Sequence, residues 1–149
     1  MIELSGADAA NGFKTEADNS IGGTIATARN VISGNSTFGI RIYEPDATGN
    51  KVQGNFIGIN AAGDTMQANG SDGVSIQADA DNNTVGGTTA GAGNIISGDG
   101  IEVHYDADPS TGDPDAATGN RILSNSIYDN DALGIDLVHS NNPLCHPQR

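Results

Sequence analysis

Hydrophobic residues along this chain recur in short words that follow a glycine. Each word reads glycine, apolar, any residue, apolar, and the copies begin at Gly12 (the weakest), Gly39, Gly73, Gly100 and Gly134. Successive copies are 27, 34, 27 and 34 residues apart. Such a doublet of spacings predicts a solenoid, in which each repeat forms one coil of the chain.

Two kinds of asparagine word lie between successive glycine words, always in the same order. The first kind begins at Asn19, Asn50, Asn83 and Asn120, and the second begins at Asn30, Asn55, Asn94 and Asn125. Apolar residues alternate after each asparagine, which is the period of a strand, and Gly, Asn, Asp and Pro interrupt every gap. Each word is therefore predicted to be a short strand and each gap a corner.

Three strands and three corners make one coil. The spacing predicts full coils at residues 12–38, 39–72, 73–99 and 100–133, with partial coils at either end. Strands that recur in the same direction pair in parallel, about 4.8 Å apart. We therefore predict an all-β parallel β-helix of about four to five coils with three short strands per coil. It occupies residues 1–138, and an irregular tail follows at 139–149.

Inward-facing residues are predicted to line up in three columns through the stack. Most of their side chains are β-branched, which suits a parallel sheet buried on one face. The columns are Phe13, Ile40, Val74, Ile101 and Ile135 in the first sheet, Ile21, Val52, Val85 and Ile122 in the second, and Ile32, Ile57, Ile96 and Ile127 in the third.

The two asparagine columns are predicted to form structural ladders. An Asn side chain at the start of a strand can bond to the Asn one coil away and so satisfy amides that a corner would otherwise bury unpaired. Asn35 and Asn60, like Gly34 and Gly98, are predicted to adopt left-handed corner conformations.

Composition and charge exclude some partners. The 149 residues carry 19 acidic and 6 basic side chains, a net charge of −13, so a basic footprint for nucleic acid is not expected. No run approaches the roughly 18 apolar residues of a membrane span, and the N-terminus at Met1 does not read as a signal peptide. The single cysteine, Cys145, allows no disulfide within the chain.

The repeat words resemble a known family. The segments NSIGGT, NVISGN, GIRI, ATGNKVQGNFIG, DGVSI, NTVGGTTAGAGNIISG and ATGNRILSNSIYDN cover nearly all of residues 11–138. They are similar to the right-handed parallel β-helix repeats of the pectin-lyase-like superfamily, and most similar to large bacterial surface and secreted proteins built of such coils. The resemblance implies a right-handed coil, an extracellular or cell-surface setting and a link to polysaccharide.

Outward-facing positions of the first strand form the candidate ligand face. They are predicted to stack in two rows: Lys14, Arg41, Ser75, Glu102 and Asp136 in one, and Glu16, Tyr43, Gln77, His104 and Val138 in the other. Loops at 58–72 and 105–118 could wall a groove beside this face. The resemblance implies sugar-polymer binding on such a face.

Two functions remain open for this face. The favoured hypothesis is a non-catalytic module that acts as a spacer or binds carbohydrate weakly. The alternative is a polysaccharide lyase or epimerase acting on an acidic glycan, with Arg41 or His104 as base and Glu102 and Asp136 as acid partners or Ca²⁺ ligands. The polygalacturonase-like signatures are missing and the chain has no Trp, so no catalytic residue is assigned.

Two further features suggest partners. Four carboxylates, at Asp106, Asp108, Asp113 and Asp115, either form a Ca²⁺ site or belong to a flexible acidic insertion. Val31, Phe56 and Ile95, with Ser126, make an outward stripe on the third sheet that needs a covering segment such as 139–149, or a partner. Self-association through this stripe or through uncapped ends of the stack is therefore expected.

Overall fold

The protein is a stack of short parallel strands. The computed structural model describes residues 1–5, 17–105 and 117–139. Within these ranges the chain forms one short 3₁₀ helix, Ala26–Ala28, and the following strands: β1 Ile2–Ser5, β2 Ser20–Gly22, β3 Val31–Ile32, β4 Ile40–Tyr43, β5 Lys51–Gln53, β6 Phe56–Ile57, β7 Val74–Gln77, β8 Thr84–Gly86, β9 Ile95–Ser97, β10 Ile101–Tyr105, β11 Arg121–Leu123, β12 Ser126–Tyr128 and β13 Ile135–His139.

These strands form three parallel sheets. The first sheet has the order β1-β4-β7-β10-β13, the second β2-β5-β8-β11 and the third β3-β6-β9-β12. Every third strand joins the same sheet because the chain completes one coil before it returns to that sheet. The fold is therefore an all-β parallel β-solenoid, as the sequence predicts.

The predicted columns of the second and third sheets are confirmed residue by residue. Ile21, Val52, Val85 and Ile122 are register partners in the second sheet. Ile32, Ile57, Ile96 and Ile127 are register partners in the third. Val52, Ile57, Val85 and Ile96 are fully buried, so the bore of the solenoid is filled by β-branched side chains.

The prediction for the first sheet was wrong at its first strand. The neighbour of β4 is β1, with Ile2 opposite Ile40 and Leu4 opposite Ile42, whereas the sequence words placed Phe13 there. Phe13 lies outside the described residues. The alternating stretch Ile2-Glu3-Leu4 supplies the apolar pair that β4 needs, although no glycine precedes it in the manner of the later words.

The strands pass through the three sheets four times, starting from β1, β4, β7 and β10, but two of these passes contain residues that the structure does not describe, so the described residues give about three coils against the four to five predicted. Residues 6–16 and 106–116 fall between strands of the first and second sheets, in the coil that begins with β1 and in the coil that begins with β10. The predicted tail, 139–149, lies outside the described residues except for His139, where β13 ends. None of the helical structure in the described ranges has the length and apolar character of a membrane span.

Both predicted asparagine ladders are present. In the second ladder, Asn94 Oδ1 accepts hydrogen bonds from the backbone N and the Nδ2 of Asn55 at 2.9 and 3.1 Å. Asn94 Nδ2 donates to Val52 O and to Asn125 Oδ1, each at 2.8 Å. The first ladder runs in the same manner through Asn19, Asn50, Asn83 and Asn120, and the second begins at Asn30.

Corner conformations were predicted only in part. Gly34 and Gly98 have φ of +66° and +91°, as expected, but Asn35 and Asn60 do not have positive φ. Asn35 and Asn60 use their side chains for hydrogen bonds that hold the corners, so a left-handed backbone is not needed there. Asn60 Oδ1 accepts from the backbone N of Gly63 at 2.8 Å and so closes the turn of a small hairpin, whose two arms are joined by the isolated antiparallel bridge Ile59–Met66.

This hairpin covers part of the stripe on the third sheet. Phe56 faces outward yet is only 8% exposed, because the backbone at Gly63 lies against one part of its ring and the Arg29 guanidinium lies 4.0 Å from the ring centroid. Val31 is 45% exposed and Ile95 is half-buried. A neighbouring loop thus covers Phe56, while the cover that the sequence suggested, the tail 139–149, lies outside the described residues except for His139 and stays a prediction.

Candidate functional site

The outward face of the first sheet brings most of the predicted ligand-face residues together. Arg41, Ser75 and Glu102 are register partners across β4, β7 and β10, and Asp136 is the partner of Glu102 on β13. Tyr43 is the partner of Gln77 in the second row. Their alternation with buried apolar residues turns all these side chains away from the bore.

The position beside Arg41 that the sequence assigned to Lys14 belongs to another residue. That position is occupied by Glu3 of β1, and Lys14 itself lies outside the described residues. Arg41 Nη1 lies 3.8 Å from Glu3 Oε2. Among the described residues, the expected cationic end of the row is therefore a single cation, Arg41, with Glu3 on one side and Ser75 on the other.

The side chains of this face bond to one another from coil to coil. Arg41 donates to Gln77 Oε1 from Nε at 3.3 Å and from Nη2 at 3.1 Å. Gln77 Nε2 donates to Glu102 Oε1 at 3.3 Å. A continuous polar chain of three side chains thus crosses β4, β7 and β10. It holds the strands in register and uses donors that a ligand would otherwise meet.

Arg41 also covers aromatic surface. Its guanidinium carbon lies 3.9 Å from the ring centroid of Tyr43 and 5.6 Å from that of Phe38, within the range of cation–π attraction. One face of the Tyr43 ring is therefore engaged. A sugar ring that stacked on this face would have to displace the guanidinium.

Ser75 shows how crowded this row is. It occupies an outward position between Arg41 and Glu102 but is fully buried, because both neighbours carry longer side chains. Its Oγ has no hydrogen-bond partner among the described residues. His104, whose register partner is Val138, is half-buried on the same outward side of β10.

The predicted Ca²⁺ ligands Asp106, Asp108, Asp113 and Asp115 lie outside the described residues. Among residues 1–5, 17–105 and 117–139, no group of three or more His, Cys, Asp or Glu side chains has a geometry that could hold a metal ion. The Ca²⁺ site stays a prediction.

A third ladder, which the sequence analysis missed, lies at the turns between the third and first sheets. We call these turns the third corner; they comprise residues 33–39, 58–73, 98–100 and 129–134. Asn35 donates from its backbone N and from Nδ2 to Asn69 Oδ1 at 3.3 and 2.8 Å. Asn69 donates in the same way to Asp99 Oδ2, with Nδ2 at 3.2 Å. The ladder therefore passes from amides to a carboxylate.

An acidic cleft of about 290 Å³ opens beside this ladder. It is lined by residues of three coils, and its ionisable lining residues among those described are Asp72, Asp99 and Asp131. No described lining residue is basic. Glu102, on the first-sheet face, lies close enough to Asp72 to repel its charge. The cleft thus adjoins the candidate ligand face.

The surroundings of the cleft disfavour ionisation of the Asp72 and Asp99 carboxyl groups. Burial, together with the Glu102 and Asp99 carboxylates, raises the pKa of Asp72 to about 6, although the Ser71 hydroxyl partly opposes the change. Burial also raises the pKa of Asp99, and the hydrogen bonds from Asn69 act against it. A carboxylate without a nearby cation takes up its proton more readily, which accounts for both directions.

A faint sequence signal for the third ladder exists. Asn35, Asn69 and Asn130 each stand four residues before a glycine word, at Gly39, Gly73 and Gly134. The pattern fails in the third coil, because its third corner is only three residues long and Asp99 occupies the position of the asparagine. No spacing rule could have found the cleft, since its three carboxylates come from three coils.

Comparison with protein-family models, with curated proteins and with solved structures gives no match. The fold is therefore established by the sheet topology alone. The resemblance of the repeat words to pectin-lyase-like proteins gains no support beyond the parallel β-solenoid itself.

Proposed function

We propose that this chain is a non-catalytic β-solenoid module of a secreted or cell-surface protein, which acts as a rigid spacer and binds carbohydrate weakly on the outward face of the first sheet. The observation that carries the proposal is the coil-to-coil chain Arg41–Gln77–Glu102. Because these three side chains satisfy one another's hydrogen-bonding groups, they stiffen the stack of coils. None of the three is free to act as a base or an acid. The setting follows from the resemblance of the repeats.

Weak binding follows from the same contacts. Planar amide, guanidinium and carboxylate groups beside Tyr43 offer the donors, acceptors and ring surface that sugars use. A sugar must compete with the internal bonds of this face and with the guanidinium over Tyr43. We expect dissociation constants of about 1 mM, equivalent to roughly 4 kcal/mol.

Binding can be tested with neutral and acidic polysaccharides, using the full chain and two tyrosine variants. Tyr43→Ala removes the ring of the proposed face, whereas Tyr128→Ala removes an exposed ring from the third sheet as a matched control. We expect Tyr43→Ala alone to abolish the affinity measured by titration NMR or affinity electrophoresis. Equal binding by both variants would place the ligand elsewhere and contradict the proposal.

One observation favours the alternative, a polysaccharide lyase or epimerase. The Asp72 carboxyl, with its raised pKa of about 6, stands beside Glu102 at the margin of the first-sheet face and could exchange protons at neutral pH. A screen for turnover of acidic polysaccharides with and without Ca²⁺, repeated with Arg41→Ala and His104→Ala, separates the two functions. Turnover that either change abolishes would establish the enzyme and refute the spacer.

A further inference from the structure

The third ladder differs from the other two in the residue that ends it. In the first and second ladders, an Asn Oδ1 accepts from the previous coil, while the Nδ2 of the same residue donates to a backbone carbonyl or to the next Asn. Asn69 follows this rule, with Nδ2 also 3.4 Å from Ile32 O. Asp99 accepts from Asn69 but, when ionised, has no proton to donate.

The next turn of the third corner contains an acceptor without a donor. Asn130 Oδ1 is buried and has no hydrogen-bond partner in the part of the chain that the structure describes. Asn130 adjoins Asp131, whose carboxylate lies near that of Asp99 and whose backbone N donates to Gly98 O at 3.3 Å. The third ladder therefore ends at Asp99, which has no proton to donate when it is ionised, and the next turn contains the Asn130 oxygen, which receives no hydrogen bond from the described residues.

Charge adds to this mismatch. Asp72 is faced by Glu102 of β10 and by Asp99, and Asp99 is faced by Asp131. Asn69, Ser71 and the backbone supply the neutral donors, and no basic side chain lines the cleft in the described part of the chain. Ionisation of both Asp72 and Asp99 places uncompensated negative charge between three coils.

We propose that the third corner is a proton-operated latch, in which a proton taken up by Asp72 or Asp99 ties the segment 67–72 more firmly to the neighbouring coils. A protonated Asp99 regains the donor that an Asn would have, and a protonated Asp72 no longer repels Glu102. The proton comes from solvent and no bond between heavy atoms changes. The latch acts on the protein itself and is independent of any ligand.

The direction of the pH dependence follows from linkage. The folded-state pKa of Asp72 is raised from 3.8 to about 6, so the folded state holds the proton more tightly than the unfolded state does. This contribution to stability is complete below the unfolded value and is lost as the pH rises through about 6. The folded solenoid should thus be more stable at about pH 5 than at about pH 7.5.

The local test is hydrogen exchange of the Gly70 and Ser71 backbone amides, which donate to Asn35 O and Thr37 O of the neighbouring coil. We expect their opening equilibrium, after correction for the intrinsic exchange rate, to be about tenfold less favourable at about pH 5 than at about pH 7.5, since about pH 5 lies one unit below the pKa of Asp72 and one unit corresponds to tenfold. Protection that is equal at both pH values, or lower in acid, would overturn the latch.

Three variants separate the latch from the general effect of a net charge of −13. Asp72→Asn and Asp99→Asn mimic the protonated forms, so both should raise the midpoint of thermal unfolding at about pH 7.5 and reduce its rise on acidification. Asp64→Asn is the control, because Asp64 is exposed and its hydrogen bonds to Asn60 and Thr65 lower its pKa, away from this window. If all three variants retain the pH dependence of the unmodified chain, the latch is refuted. Carboxyl pKa values below about 4.5 for both Asp72 and Asp99 by ¹³C NMR would refute it independently.

Discussion

At the scale of single residues, the corners depend on the hydrogen-bonding capacity of asparagine and on the small size of glycine. An Asn side chain offers one acceptor and two donors, so it can serve the coil before it and the coil after it at once. Asn50, Asn55, Asn83 and Asn94 are buried with these bonds made, whereas Asn19 and Asn30, at the start of the ladders, retain exposure. Where neighbouring turns approach closely, glycine is required with equal specificity, because a side chain would not fit between them.

Two glycines with the same backbone conformation should respond differently to replacement. Gly34 and Gly54 both have φ of +66°. A Cβ at Gly34 would meet open space, whereas one at Gly54 would overlap the carbonyl of Gly23 in the preceding coil. We expect Gly34→Ala to cost about 1–2 kcal/mol from the left-handed backbone alone, and Gly54→Ala to cost clearly more. Urea unfolding of both variants measures the difference, and equal losses would show that the contact between coils is unimportant.

At the scale of elements, no strand is stable alone. The strands are two to five residues long, and each finds its backbone partners only in the coils on either side. Alternation decides which residues enter the bore, and the ladders fix where each strand begins. The outward polar chain Arg41–Gln77–Glu102 adds side-chain bonds across three strands of the first sheet. Alternation, the asparagine ladders and the outward side-chain bonds therefore each help to fix the register of the strands.

Loss of a buried ladder member should cost far more than loss of an exposed one. Asn94→Ala removes the acceptor of two Asn55 donors and the donor to Val52 O, so buried groups are left unpaired at about 1–3 kcal/mol each. Asn30→Ala, the control, removes side-chain bonding to Asn55 from an exposed position and should cost about 0.5–1.5 kcal/mol. Chemical denaturation checks both values. A loss for Asn30→Ala as large as that for Asn94→Ala would contradict the role of burial.

At the scale of the whole molecule, stability accumulates along the stack. Coils stack mainly on their immediate neighbours, so apolar side chains in the bore are most completely buried where a coil has a partner on both sides. The pattern of exposure agrees: Val52 and Val85 are fully buried, whereas Ile135 and Leu137 of β13 are 45% and 68% exposed. Acidic charge on the outside, reflected in the net −13, acts over the whole stack rather than at one site.

Hydrogen exchange should follow this gradient. Amides of β5 and β8, in the middle of the second sheet, are expected to exchange most slowly, and those of β13 fastest among the strands of the first sheet. Mass spectrometry of exchanged peptides at one pH, compared with fully deuterated controls, gives the order. Uniform protection from β1 to β13 would indicate that the chain opens as a single cooperative unit.

Much of the fold could be predicted because the coil repeat appears in the sequence as spacing. A period of two within each word places Ile57 and Ile96 inward, and recurrence of the words fixes which strands are neighbours. The strand β1 escaped prediction because Ile2–Ser5 lacks the preceding glycine, and only its pairing with β4 shows its place. For the candidate ligand face, the rows were predictable, but the internal bonding of Arg41 was not, since bond lengths and rotamers depend on packing.

The sequence by itself determined the periodicity of this protein: the inward columns of the second and third sheets, the two asparagine ladders and the parallel order of the strands. These follow from alternation and spacing, which are local properties that every coil repeats. Only the tertiary structure decided what happens at the corners, where coils differ in length. There the stacking brings Asp72, Asp99 and Asp131 into one cleft from positions 27 and 32 residues apart, and it ends the third ladder on a carboxylate. Burial and mutual repulsion then change their protonation, and these effects arise only once the coils are stacked.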